Sequence, residues 1–295
     1  MKRFLAVITI VLLCSNIVGC SYDDNNIHIA ATTLPVYEFS SAICEGTGIH
    51  VDRLINEEVS CLHDYTLQVK QMRTIDEADT VIISGAGLED FLDDVLQDKR
   101  KIIDASAGIP LLCSSDKEAA HDHQHETHQH INDPHIWLSP ANAKQMATNI
   151  YIALSSKYPQ YSDTFKTNYN KLCQKFDALI NYADESLADL DCRSIVTFHD
   201  GFQYMAAAFD LSILRAIEEE AGREASATEL IEMINIVSSN NLNAIFTEKN
   251  SSSAAATVVA VETGAHLYTL DMAMSGDGYF TAMYHNIDTL KEALK

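Results

Sequence analysis

Basic side chains are scarce: 20 Lys and Arg stand against 42 Asp and Glu in 295 residues, a formal net charge of -22. A surface of that sign repels phosphate backbones and anionic lipid headgroups, which excludes nucleic acid as a partner. It favours the approach of cations, a property shared with many proteins that are acidic for solubility alone. The chain also lacks a His-Glu-x-x-His helix and a well-placed general base, the features a secreted zinc hydrolase would need. No disulfide-built scaffold is expected either. Of the 7 cysteines, Cys14 and Cys20 belong to the leader described next, and Cys44, Cys61, Cys113, Cys173 and Cys192 are an odd set that must leave at least one free thiol.

The leader is short but informative. Lys2 and Arg3 precede an apolar run over residues 4–14, and Ile17, Val18, Gly19 and Cys20 close it with small residues before a cysteine. This is the pattern of an export signal, too short to span a membrane and followed by a polar tether over residues 21–26.

From residue 27 short apolar runs alternate with helical stretches, which predicts strands near 27–33, 49–55, 80–84 and 101–104 with helices near 35–46, 65–76 and 88–98. Ser139 and Pro140 form a helix N-cap and first-turn proline, and the helical period that follows continues to about 188, with a kink expected at Pro159. A second alternating set predicts strands at 194–198, 211–215, 243–247 and 266–270, with helices near 201–208, 227–240, 251–264 and 279–294. The expected fold class is α/β: two similar lobes, each a parallel sheet flanked by helices, joined by a long rigid helical connector, with the site in the inter-lobe cleft. The expected division is a signal at 1–20, an N-terminal lobe at 21–138 with a His-rich loop at 114–132, a connector at 139–190 and a C-terminal lobe at 191–295.

Four residues fall at predicted strand ends or in the loops that follow: His63, His135, His199 and Asp271. Open α/β sheets bind ligands outside the carboxyl ends of their strands, and two of the four lie on each side of the connector. Three imidazoles and a carboxylate suit tetrahedral zinc and leave little room for a reacting water. Glu248 and Asp200 are candidates to orient the imidazoles. Asp64 beside His63 and Asp133 beside His135 are alternative ligands, and Cys61 raises the alternative of a thiolate. His121, His123, His125, His128 and His130 form a polar run whose imidazoles would bind borderline metals weakly and exchangeably; the competing reading is a solvated low-complexity insert.

Six segments carry a resemblance: Leu62-His-Asp-Tyr-Thr66, Asp133-Pro-His-Ile-Trp-Leu138, Phe198-His-Asp-Gly-Phe-Gln-Tyr204, Phe246-Thr-Glu-Lys-Asn250, Glu262-Thr-Gly-Ala265, and the Leu270-Asp271 turn leading to Tyr279. Over essentially its whole length the chain resembles the zinc and manganese solute-binding lipoproteins of ABC importers. The resemblance implies metal ligation by His63, His135, His199 and Asp271, lipidation of Cys20, anchoring to the outer face of the cell membrane, and delivery of the ion by a monomeric, non-enzymatic receptor to a permease. A histidine at the third position, here His199, accompanies Zn(II) in that family, whereas glutamate accompanies Mn(II). A manganese receptor and a metal-stabilised adhesin on the same scaffold are the alternatives. The chain departs from the family pattern at Leu62 and Met272, where proline is usual, and at Glu224-Ala-Ser226, where Glu-Pro-Ser is usual.

Overall fold

A computed structural model describes residues 27–56, 62, 65–92, 95, 98–112, 132–217 and 225–295. The signal, Cys20, Cys61, His63, Asp64, the histidines from 121 to 130 and Glu224 lie outside the described residues.

The first sheet contains β1 (His28–Ala31), β2 (His50–Arg53), β3 (Thr80–Ile83) and β4 (Ile102–Asp104), with α1 (Leu34–Cys44) and α2 (Val69–Glu77) between them in the chain. All of its pairings are parallel, in the order β2-β1-β3-β4. The second sheet repeats that arrangement. Its strands β5 (Ser194–Thr197), β6 (Ser212–Ala216), β7 (Ala244–Glu248) and β8 (His266–Leu270) are ordered β6-β5-β7-β8, again all parallel, with α5 (Gln203–Ala208), α6 (Ala227–Ser239) and α7 (Ala254–Thr263) as crossovers. A fully buried strand such as Ala244–Glu248, apolar at Ala244, Ile245 and Phe246, is what a parallel sheet covered on both faces requires. In each sheet the strand order reverses between the central pair, β1 and β3 or β5 and β7, and that switch point is where such folds place ligands.

Between the sheets run α3 (Pro140–Lys157) and α4 (Ser162–Ser186). Ser139 caps α3 by accepting from Asn142 N, and Pro159 ends the helical run in one 3-10 turn before α4 begins. The 25-residue α4 packs on α1 and on α8 (Tyr279–Leu294), the last helix. Phe39 of α1, Phe176 of α4 and Tyr279 of α8 meet edge to face or tilted, with ring centroids 5.1 to 6.0 Å apart. Such contacts between fully buried rings tie the C-terminal helix to the N-terminal lobe and the connector. Among the described residues no helix is long and apolar enough to cross a membrane.

The helix expected near 88–98 is corrected: among its described residues the only helical backbone is a 3-10 turn at Asp90–Leu92, and a second 3-10 turn, Lys99–Lys101, follows that range. The cause is Glu89, which turns inward. Its carboxylate accepts from Thr32 Oγ1 at 2.6 Å, Ser84 N at 2.8 Å and Gly85 N at 2.9 Å, plugging the switch point at the ends of β1 and β3. Gly85 has φ of +81°, and a Cβ there would lie 2.0 Å from Asp104 Oδ1, so no other residue fits.

Burial pushes the Glu89 carboxyl up from its ordinary 4.5 to about 7, against the lowering effect of its three donors. A group raised in this way binds its proton more tightly folded than unfolded. Its contribution to stability is complete below about pH 4.5 and is lost as pH rises through about 7, a swing of roughly 3 kcal/mol at most. We therefore expect the thermal midpoint of metal-free protein to fall between about pH 5 and about pH 8, and to fall less in Glu89→Gln. Equal slopes in the two proteins would remove this assignment.

Candidate metal centre

His135 and His199 reach the same place from different halves of the chain. His135 sits in the turn that leads into α3, at the start of a 3-10 turn over Ile136–Leu138. His199 lies two residues beyond β5, beside the carboxyl end of β7 at the switch point of the second sheet. Their rings are 5.4 Å apart between centroids and nearly perpendicular, at 79°. Both residues are buried, at 3% and 5% exposure.

Each ring is oriented by a carboxylate. His135 Nδ1 donates to Asp133 Oδ1 at 2.8 Å, and the same oxygen accepts from the His135 backbone N at 2.8 Å. His199 Nδ1 lies 3.4 Å from Glu248 Oε2, within ion-pair reach. An ionised carboxylate only accepts, so the proton of each neutral imidazole is drawn to Nδ1 and the lone pair is left on Nε2. This is the arrangement that metal-ligating histidines use, with the carboxylate fixing both tautomer and ring plane.

Gly201 explains how the second ring fits. A Cβ at that position would lie 2.6 Å from His199 Nε2 and 2.6 Å from Met272 Cε, so any side chain would press on the ring edge. The same contact brings the segment after β8 against His199. Asp271 opens that segment and is buried, at 6% exposure. Its backbone is locked by Asn286 of α8, which donates through Nδ2 to Asp271 O and accepts through Oδ1 from Asp271 N, both at 2.7 Å. Its carboxylate accepts from Ala273 N through Oδ1 and from Lys249 Nζ through Oδ2, both at 2.8 Å.

The structure thus brings His135 and His199 together, with Asp271 on the neighbouring segment held by a lysine; His63 is outside the described residues. Among the described residues, no three His, Cys, Asp or Glu side chains form a metal-holding group. Glu248 stands at His199, with its Oε2 on the Nδ1 side of the ring. Asp200 accepts from Gln203 Nε2 at 3.0 Å at the start of α5. Asp133 Oδ1 contacts the Nδ1 side of its neighbour His135, and Leu62 is buried where the resemblance leads one to expect proline. Sequence reading missed Lys249 and Asn286; the one available signal for Lys249 was its place next to Glu248 at a strand end.

The model of the family described as zinc-uptake complex component A, periplasmic, matches residues 29–293. The chain belongs to this family. Zinc-uptake component A relatives include the zinc-binding lipoprotein AdcA of Streptococcus pneumoniae serotype 4, 31% identical over 292 residues, with 94% of this chain and 58% of that protein aligned. The zinc-binding protein AdcA of Streptococcus pyogenes serotype M3 is 29% identical, with 91% of this chain and 56% of that protein covered. The chain therefore spans somewhat more than half the length of these relatives. Among solved structures, the Zn(II)-bound ZnuA-like domain of Streptococcus pneumoniae AdcA superposes with a TM-score of 0.75 at 28% identity, over 91% of this chain and 99% of that domain. A crystal structure of ZnuA superposes with a TM-score of 0.76 at 26% identity, over 91% of this chain and the whole of that one.

Proposed function

We propose that the protein is the extracytoplasmic receptor of an ABC importer, that it captures Zn(II), and that it hands the ion to the membrane permease without chemical change. The observation that carries this reading is the pair of buried imidazoles 5.4 Å apart, each with its Nδ1 turned to a carboxylate. Two such rings offer Nε2 lone pairs to one ion, and imidazole suits zinc better than it suits manganese. His135 and His199 are then two ligands, Asp271 a third from the segment beside them, and His63 the fourth. Three neutral imidazoles and one carboxylate would leave the centre at about +1, which the nearby Asp133 and Glu248 offset. The zinc-binding names of the relatives and the Zn(II)-bound state of a superposable domain support the same ion.

Location follows from the leader. Its apolar run, small residues and Cys20 support a lipid anchor on the outer face of the membrane, as the lipoprotein name of one relative does for that protein. The histidines from 121 to 130 would act as an exchangeable collector that binds the ion more weakly than the buried site.

Release is a matter of loops more than lobes. The segment from Asp271 to Tyr279 is fastened to the N-terminal half by Trp137 Nε1 donating to Met272 O at 2.7 Å, by Arg53 Nη2 donating to Met274 O, and by Glu38 accepting from Tyr279 N at 2.6 Å. With α4 and α8 packed across both halves, wide hinge opening would break a buried core, so we expect local rearrangement around Asp271 and His199 on docking.

Elemental analysis of protein purified without added metal tests the reading. We expect about one zinc per chain, removable by a strong chelator and restored by zinc ahead of manganese. Manganese occupancy, or no bound metal after zinc is supplied, would overturn it. Normal growth of a deletion strain under zinc limitation would leave the site intact and point to adhesion instead of transport.

A further inference from the structure

The ion pair between Lys249 and Asp271 is placed by the backbone. In the parallel register of β7 and β8, Glu248 stands opposite Leu270, and Lys249 N donates to Leu270 O at 2.8 Å. The next residue of each strand is then Lys249 on one side and Asp271 on the other. The lysine Nζ reaches Asp271 Oδ2 at 2.8 Å, and the two side chains differ sharply in exposure, 45% against 8%. A cation on a flexible, half-exposed stem is thus bound to a carboxylate that is buried and fixed.

The fixing is thorough. Asp271 Oδ1 accepts from a backbone N–H, and its own N and O are both held by Asn286, which is fully buried. Of these groups only the lysine can leave without moving backbone or a buried side chain. An ammonium is also the group a divalent ion would have to contend with, because two cations on one carboxylate repel and share its charge.

We infer that Lys249 is an internal cation that holds Asp271 in the metal-free receptor and must be exchanged for zinc on capture. The inference rests on the reading of Asp271 as a ligand. On this view the lysine positions the carboxylate between visits of the metal, lowers the net affinity, and re-forms its ion pair as zinc leaves, which speeds dissociation. It is a positioning residue and does not ligate the ion. The neighbouring residues Glu248 and Lys249 then divide the work: one orients His199, and the other competes for Asp271.

A double-mutant cycle tests this. Zinc affinity of the purified full chain is measured by competition with a colorimetric chelator, and the dissociation rate by challenge with excess EDTA. Lys249→Met should bind zinc about tenfold more tightly and release it correspondingly more slowly, whereas Lys249→Arg should stay within a few-fold of wild type. Asp271→Asn should bind more weakly, and in that background Lys249→Met should change affinity by less than about twofold. Unchanged or weaker binding by Lys249→Met, with Asp271→Asn still impaired, overturns the role of the lysine alone. Wild-type binding by Asp271→Asn overturns the ligand reading and the inference with it. Lys249→Gln, neutral but polar, guards against a packing artefact of methionine and should follow it in direction.

Discussion

His199→Ala should lose zinc affinity by at least about a hundredfold while keeping its fold, more than the 10-fold to 100-fold typical when only an orienting partner is removed. The expectation follows from where the ring sits. It lies beyond β5 at the switch point, is 5% exposed, and faces His135 across 5.4 Å. Removing it takes away one ligand of the proposed set and also leaves Glu248, itself 3% exposed, without the imidazole at which its carboxylate is aimed. A buried carboxylate stripped of its partner is costly, so some loss of stability should accompany the loss of binding. The two effects separate by measurement: calorimetric zinc titration gives the affinity, and the melting temperature of metal-free protein gives the stability. His266→Ala is the matched control, since that exposed histidine opens β8 at the end away from Asp271. Zinc binding by His199→Ala within a few-fold of wild type would remove this residue from the ligand set.

Much of this architecture can be read from sequence, because burial on both faces of a parallel sheet leaves a plain signal. Runs such as the β-branched Thr80–Ile83 and Ala244, Ile245 and Phe246 of β7 lie between helical periods and belong to the central strands that their composition suggests. Pro159 marks the break between α3 and α4 for a local reason, its missing N–H and fixed φ. The meeting of His135 and His199 is legible for a topological reason: both follow predicted strands or precede a helix cap, where α/β folds gather their ligands.

What was not legible depends on contacts between distant residues. Glu89 reads as one more acid in an acidic, helix-like stretch, yet its carboxylate turns inward onto Thr32, Ser84 and Gly85, and the expected helix shrinks to a 3-10 turn among the described residues. Asn286 lies within the long helix Tyr279–Leu294, where an asparagine has no evident purpose until β8 is seen to end against it. Lys249 is a charged residue after a strand, indistinguishable from a solvated surface lysine until the β7 and β8 register sets it beside Asp271. Periodicity reports which face of an element is buried. It does not report which polar group on another element that face will meet.

Trp137 joins the fold to the site, and its removal should have the largest effect on stability. The indole is fully buried, its Nε1 donates to Met272 O at 2.7 Å, and its own backbone O accepts from Tyr279 Oη at 2.9 Å. Its ring also meets that of His135 edge-on, with centroids 5.4 Å apart. One residue therefore contacts a proposed ligand, the segment that carries another, and the helix that packs the C-terminal end against the N-terminal half. Trp137→Ala combines a large cavity with a buried carbonyl deprived of its donor, so we expect a loss of about 3–5 kcal/mol in metal-free protein. For a chain of this size that corresponds to a fall in melting temperature on the order of 10 °C. Trp137→Phe keeps much of the volume and loses the donor, and should cost less, about 1–3 kcal/mol. If this indole holds the Asp271 segment against His135, zinc affinity should fall in both variants, further in alanine than in phenylalanine, because metal must then close a gap that the indole had already closed. Saturating zinc should restore part of the lost melting temperature, since an ion bound only by the folded state stabilises it by mass action. A loss below about 1 kcal/mol in Trp137→Ala, outside the range for truncating a buried tryptophan, would show that the two halves are coupled elsewhere.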